Sequence, residues 1–223
     1  MLLGSFIYPL LVEPLFNHFT PLPAGSLRSD VLALAQEEGV HVDDVLVADA
    51  SRRTTTLNAY VSGFGDTRHV VLYDNLVKDE PRAETLSVVA HELGHAKYDD
   101  VLTGSLLGAA GALVGVGLVG VIVERRRSRT DIGDPTSVPM LLALLAVGSF
   151  LALPVQNTIS RQIETRADVA ALRTTKDAAA FVTLQRELAL SSLSDPTPAS
   201  WSQFWFGTHP TALQRIALAE RIR

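Results

Sequence analysis

Two uncharged runs lying close together constrain this chain more than any other feature of its sequence. Residues 101–123 (VLTGSLLGAAGALVGVGLVGVIV) and 137–156 (SVPMLLALLAVGSFLALPVQ) contain no Asp, Glu, Lys or Arg, and the segment ERRRSRTDIGDPT between them is polar and turn-forming. A helix rises about 1.5 Å per residue, so the first run reaches about 34 Å, more than the roughly 30 Å hydrocarbon core of a bilayer. The plain expectation is a transmembrane helical hairpin. The same composition also suits a pair of helices buried in a protein core. The Gly- and Ala-rich first run favours close helix packing in lipid. Apolar residues supply 47% of the 223-residue chain and charged residues 19%, a more apolar balance than that of an ordinary soluble domain.

A hairpin that crosses twice returns the chain to the side it left, so the residues flanking it meet. Before it stands His91-Glu92-Leu93-Gly94-His95, an H-E-x-x-H sequence. On a helix, positions i and i+4 share a face, so His91 and His95 can grip one zinc ion, and Glu92 beside them can take a proton from an attacking water. A catalytic zinc needs a third protein ligand. No third His lies nearby, and after the hairpin, in SRQIETRADVAAL, Glu164 is the best carboxylate candidate. Asp168, one helical turn on, can accept a hydrogen bond from a ligand His and fix its tautomer. The bland alternatives are an ordinary helix with two satisfied histidines and a solvated helix face.

The remaining chain reads as a soluble-type layer. Leu27, Val31, Leu34 and Ala35 recur at helical spacing over Ser26–Glu38, with Gly39 as the stop. Residues 44–49, 55–61 and 68–73 are short and β-branched, and predict a small antiparallel meander. Helices are expected over 82–99 with Pro81 near the start, 157–173 continuing the second span, 175–192 and 210–222. The fold class expected is therefore mainly α with a small antiparallel β meander: a single domain over residues 1–223 with an inserted transmembrane hairpin. Residues 1–12 are apolar but too short to span, and no positive residue precedes them. The stretch 1–22 is expected to be an interfacial segment or the tail of a truncated membrane helix.

Composition excludes several classes. The net charge is −5, with no basic excess for nucleic acid, and there is no Cys for a disulfide, an iron–sulfur cluster or a thiol nucleophile. A metal must be held by His and carboxylates. His18, His41 and His69 fall outside the motifs and read as ordinary surface or strand residues.

The segments PLFNHFTPLPAGSL, NAYVSGFGDTRHVVLYDNLV, VVAHELGHAKYDD, SRQIETRADVAAL and THPTALQRIAL, in this order, resemble the catalytic half of the integral-membrane type I CAAX prenyl proteases and HtpX-like proteases. The resemblance covers nearly the whole chain. It implies a gluzincin metalloendopeptidase with one Zn2+ on His91, His95 and Glu164, Glu92 as general base and Asp168 behind the ligands. It implies that His209 and Arg215 reach the site, His209 to support the oxyanion, although His209-Pro210 also reads as a helix start. It implies that Asn58, Ala59 and Tyr60 belong to an edge strand that pairs with an extended peptide substrate. Membrane-associated or unfolded proteins are the expected substrates. Eukaryotic family members carry further membrane helices before this region, so the chain is expected to be a shortened relative or a fragment.

Two rival readings stand beside this one: a non-proteolytic, zinc-stabilised membrane scaffold or chaperone, and an inactive fragment of a larger protease. Orientation by basic residues is a tie. Arg125, Arg126, Arg127 and Arg129 lie in the hairpin loop, against Lys97, Arg161, Arg166 and Arg173 on the other side. The resemblance favours a cytosolic site in the cell membrane.

Overall fold

The first described elements are a short helix α1 (Glu13–Phe16) and a strand β1 (Phe19–Pro21). The computed structural model describes residues 12–63, 65–125 and 134–222. Residues 1–11 of the expected interfacial segment, and Arg126, Arg127 and Arg129 of the hairpin loop, lie outside the described residues. Helix α2 (Ser26–Glu38) then follows the predicted spacing and ends at Gly39, whose φ of 72° is the left-handed conformation that glycine adopts without a Cβ penalty.

Strands β2 (Asp44–Ala48), β3 (Ala59–Ser62) and β4 (His69–Tyr73) complete a four-stranded sheet in the order β1-β2-β4-β3. The expected antiparallel meander is corrected here. β3–β4 and β1–β2 are antiparallel, but β2 runs parallel to β4, with Asp44 opposite His69 and Ala48 opposite Tyr73. The physical reason is that β3 lies outside β4 rather than between β2 and β4, so the chain crosses over instead of folding back. β3 is therefore an edge strand.

Helix α3 (Asp74–Asp79) leads into α4 (Arg82–Lys97), which carries the H-E-x-x-H sequence. One face of α4 meets α2 and the sheet. There Val31, Val45, Val70, Leu72, Leu76, Val89 and Leu93 are fully buried, and each such Val or Leu contributes about 1.5–3 kcal/mol relative to exposure. The long helices α5 (Asp100–Arg125) and α6 (Val138–Thr175) follow, then α7 (Ala178–Ser191), α8 (Ser200–Phe206) and α9 (Ala212–Ile222). The second apolar run and the helix carrying Glu164 are thus one continuous rod of 38 residues.

Both α5 and α6 are long and apolar enough to cross a membrane. Their apolar side chains are not packed into the protein: Leu113 is 76% exposed, Leu142 61% and Val155 63%. A pair of buried core helices would have hidden these residues.

Near the sheet, α4 and α6 approach closely. A Cβ on Gly94 would stand 3.2 Å from the Ala167 Cα and 3.3 Å from the Ala170 Cβ. Small residues on both helices therefore set the distance between the two histidines on one and Glu164 on the other.

Candidate metal centre

Helix α4 presents His91 and His95 one turn apart, with their Nε2 atoms 3.1 Å from each other. Helix α6 returns Glu164 opposite them, one carboxylate oxygen 3.4 Å from His91 Nε2 and the other 3.6 Å from His95 Nε2. One ligand atom from each of these three residues lies within 4.8 Å of the others. Donors held at about 2.0–2.1 Å from one tetrahedral ion stand roughly 3.3 Å apart, so this triangle has the right size for a single metal.

The far side of each ring is held by a carboxylate. His91 Nδ1 donates to Asp168 Oδ1 at 2.9 Å, and His95 Nδ1 donates to Asp100 Oδ2 at 2.9 Å. Both hydrogen bonds select the tautomer that leaves Nε2 free for a metal. Asp168 is fully buried and also accepts from Arg215, Nε to Oδ2 at 2.8 Å, with a second contact from Nη2 to Oδ1. Asp100 in turn accepts from Arg166.

Asp100 stands outside both the H-E-x-x-H sequence and the segment around Glu164. Its signal was there: an acidic residue five positions after His95, at the mouth of a charge-free run, where an ionised group requires a partner. The turn that brings it back has Asp99 at φ 49°, a left-handed residue between α4 and α5. Arg68 Nη2 donates to the Asp99 carboxylate at 2.6 Å and steadies that turn.

The electrostatics favour a cation. Glu92, Glu164, Asp168 and Asp100 face the guanidiniums of Arg215 and Arg166, which leaves negative charge in excess when both imidazoles are neutral. Burial opposes protonation of His91, but its hydrogen bonds to Asp168 and Glu164 outweigh that, and the imidazole is pushed up to about 9. Burial raises the Asp168 and Glu164 carboxyls, yet His91 and its positive neighbours hold both below the ordinary range. Burial pushes the Glu92 carboxyl up, with the two histidines acting against it.

A cleft of about 180 Å³ opens over these groups, lined among others by His91, Glu92, Glu164, His209 and Arg215. His209 sits at its rim, 59% exposed, with Nε2 3.5 Å from Glu164 Oε1. Asn58 lines the cleft from the start of β3. Ala59 is buried, and the Tyr60 hydroxyl donates to Glu13 Oε2 at 3.4 Å, so that side chain is directed at α1. Ser87 and Gln185, buried polar residues that no motif marks in the sequence, line the same cleft.

The sequence model of peptidase family M48 matches residues 21–223, from β1 through α9. The chain belongs to peptidase family M48. Among the proteins it is similar to, the one described as "Uncharacterized metalloprotease YhfN" of Bacillus subtilis is 33% identical over 228 residues, covering 97% of this chain and 52% of that protein. The "CAAX prenyl protease 1 homolog" of Oryza sativa subsp. japonica is 31% identical, covering 96% of this chain and 52% of that protein. The crystal structure of S. mikatae Ste24p shares the fold at a TM-score of 0.84 and 24% identity, over 98% of this chain and 56% of that one. The chain spans about half the length of the relatives it matches. Membership in M48 implies a metal, and the donor set of His91, His95 and Glu164 fits one.

Proposed function

We propose that this M48 chain is a zinc-dependent endopeptidase acting on extended segments of membrane-associated or unfolded proteins. The observation that carries the reading is the convergence of His91, His95 and Glu164 on one point, beside Glu92, inside a cleft flanked by an edge strand. His91, His95 and Glu164 would hold the ion, and Asp168 and Asp100 orient the two imidazoles. Zinc bound there supplies Lewis acidity toward the scissile carbonyl and lowers the pKa of water.

The rest of the chemistry belongs to side chains. Glu92 takes a proton from the attacking water and hands it to the departing amine as the C–N bond breaks. Burial, which pushes the Glu92 carboxyl up, favours its handing the proton on after taking it. His209, at the rim beside Glu164, donates a hydrogen bond to the carbonyl oxygen as that oxygen gains charge. Arg215 keeps Asp168 ionised and so holds His91 in place.

The edge strand β3 offers a template for the substrate. Asn58 O accepts from Tyr73 N at 3.0 Å, and Ala59 pairs opposite Leu72, so alternation directs the Ala59 N–H and C=O away from β4. A peptide laid along that edge gains main-chain hydrogen bonds and crosses the cleft. The two apolar helices support a site at a bilayer surface, and we assign it to the cytosolic face of the cell membrane.

The test is metal analysis of the purified chain together with Glu92→Gln. Wild-type protein should carry about one zinc per chain and cleave a peptide in a chelator-sensitive way. Glu92→Gln should keep the zinc and lose about 10²–10⁴ in rate. A chain with no affinity for zinc, or a fully active Glu92→Gln variant, overturns the reading. A chain that binds zinc yet cleaves no peptide in either form supports the scaffold alternative instead.

A further inference from the structure

Helix α8 is a short segment with an unusual composition. Its seven residues, SWSQFWF, include four aromatics, and both tryptophans of the chain, Trp201 and Trp205, are among them. Trp201 is 70% exposed, and Phe204 and Phe206 are each 52% exposed. A buried aromatic side chain removes about 150–250 Å² from water, so leaving three of them open on one short helix is costly in an aqueous setting.

The place of α8 in the fold explains it. The helix lies against α6, with Trp205 5.0 Å and Phe206 6.4 Å from the Phe150 ring, centroid to centroid. Phe150 belongs to the second apolar run and is itself half exposed, continuous with Leu151 and Val155 on the lipid-ready surface of α6. One turn further the rod becomes polar, and its polar residues grip the backbone of α8. Asn157 Nδ2 donates to Trp205 O at 2.6 Å, and Arg161 Nη1 donates to Gln203 O at 3.2 Å and Gly207 O at 2.6 Å. The Arg161 cation thereby satisfies carbonyls at the C-terminal end of α8 and complements its dipole. The helix is thus pinned where hydrocarbon gives way to water, the level at which Trp side chains collect in membrane proteins.

We propose that α8 is an interfacial helix, seated in the headgroup–acyl boundary of the bilayer, that ties His209 to the membrane surface. The occupant of its exposed aromatic face is lipid, because Trp205 and Phe206 pack against Phe150, which belongs to the exposed apolar surface of α6. The tie to the site is short. Gln203 Nε2 on α8 donates to His209 O at 2.7 Å, and the Thr208 hydroxyl bonds His209 Nδ1 at 2.8 Å. His209 Nε2 then stands 3.5 Å from Glu164. From Asn157 to Glu164 the helix rises only about 10 Å. A consequence, which rests on the proposed peptidase activity, is that the preferred scissile bonds lie in an extended segment just outside a membrane anchor, within about two helical turns' height of the surface.

The two tryptophans make the test direct. Full-length protein is reconstituted into phosphatidylcholine vesicles brominated either near the headgroup or near the acyl-chain ends, with Trp205→Phe leaving Trp201 as sole reporter and Trp201→Phe leaving Trp205. The expected result is blue-shifted Trp201 emission, quenched most by bromine near the headgroup. Emission untouched by either lipid overturns the proposal: quenching by aqueous acrylamide would then mean that the helix faces water, and protection from it that a protein surface covers the helix. Strongest quenching by bromine at the chain ends also overturns it, placing the helix in the hydrocarbon. These readouts need no catalysis, so they fail independently of the peptidase assignment. The tie to His209 is tested with Trp201→Ser/Phe204→Ser. Zinc content should be unchanged, and cleavage of a vesicle-anchored peptide should fall about tenfold relative to the same peptide free in solution. An equal effect on the two substrates overturns the tie.

Discussion

Replacing Gly94 tests whether the contact between α4 and α6 sets the dimensions of the metal centre. At an open helical position, Gly→Ala stabilises by about 0.8–1 kcal/mol through backbone entropy. Gly94 is not open. A Cβ there would meet the Ala167 Cα at 3.2 Å, the Ala167 carbonyl oxygen at 3.3 Å and the Ala170 Cβ at 3.3 Å, against an optimum of about 3.5–4.0 Å between carbon atoms. Two of those three atoms are backbone and the third is a methyl stub, so none can rotate aside. The helices must part by a few tenths of an ångström, and overpacking of this kind costs about 1–3 kcal/mol. The net for Gly94→Ala is a loss of about 0–2 kcal/mol once propensity is credited. Gly94→Val adds two methyls and β-branching and lies well beyond that.

The functional effect should exceed the effect on stability. His95 adjoins Gly94, and Glu164 lies three residues before Ala167, so parting the helices widens the ligand triangle itself. Metal sites tolerate distance errors of only about 0.2 Å. Gly94→Val should therefore weaken zinc binding at least about tenfold in a chelator-competition titration, with a lower melting temperature by circular dichroism. Gly111→Ala is the control, since nothing lies within 4 Å of a Cβ at that position, and it should melt no lower than wild type. A Gly94→Val protein with wild-type zinc affinity and melting temperature refutes the argument that this contact gauges the site.

Two further substitutions separate the parts of the site. Asp100→Asn leaves His95 without an ionised partner and Arg166 uncompensated, and should weaken zinc binding by about 10–100-fold without unfolding the chain; equilibrium dialysis against zinc buffers measures it, and unchanged affinity would mean that Asp100 does not support His95. Ala59→Pro removes the N–H that β3 turns outward, and edge strands tolerate proline. Peptide KM should rise several-fold with zinc content unchanged, and an unaltered KM would exclude β3 as the substrate strand.

The site was more legible than the sheet because its signals are local. His91 and His95 lie one turn apart within one helix, and the hairpin of α5 and α6 returns Glu164 to them. Helix boundaries such as Ser26–Glu38 were equally readable, because Gly39 supplies a specific stop. The sheet order has no such signal. Each strand announces itself by β-branched residues, but whether β2 pairs with β3 or with β4 depends on a crossover that no short window encodes. β1 is only Phe19–Pro21, next to Pro23, and carries no alternation to detect. Asp100 and Arg166 are 66 residues apart in sequence and meet only because α5 and α6 form a hairpin. Helix α8 is not legible because seven residues between Pro198 and Gly207 show no helical period, and its aromatics make sense only beside the end of the second apolar run.

One carboxyl pair outside the site makes the folded chain sensitive to pH, and its sign follows from burial. Glu80, in the link between α3 and α4, meets Glu187 on α7, and each has a buried carboxylate oxygen with no hydrogen-bond partner. Burial, the Glu187 hydrogen bond and charge, and the nearby charges of Glu84 and Asp79 push the Glu80 carboxyl up to about 7. The Glu80 carboxyl therefore keeps its proton to a higher pH in the folded chain than an ordinary Glu does. An unfolded chain releases it near the ordinary Glu value, so between that value and about 7 the folded state holds a proton that the unfolded state has lost. Stability contributed here is present below that window and falls as pH rises through it, by about 1–3 kcal/mol after discounting for partial exposure. Glu80→Gln keeps a donor toward Glu187 but cannot ionise. Its melting temperature should exceed that of wild type at pH 8 and match it more closely at pH 5. A variant whose melting temperature declines as steeply as that of wild type over this range would show that the pair is not the group responsible.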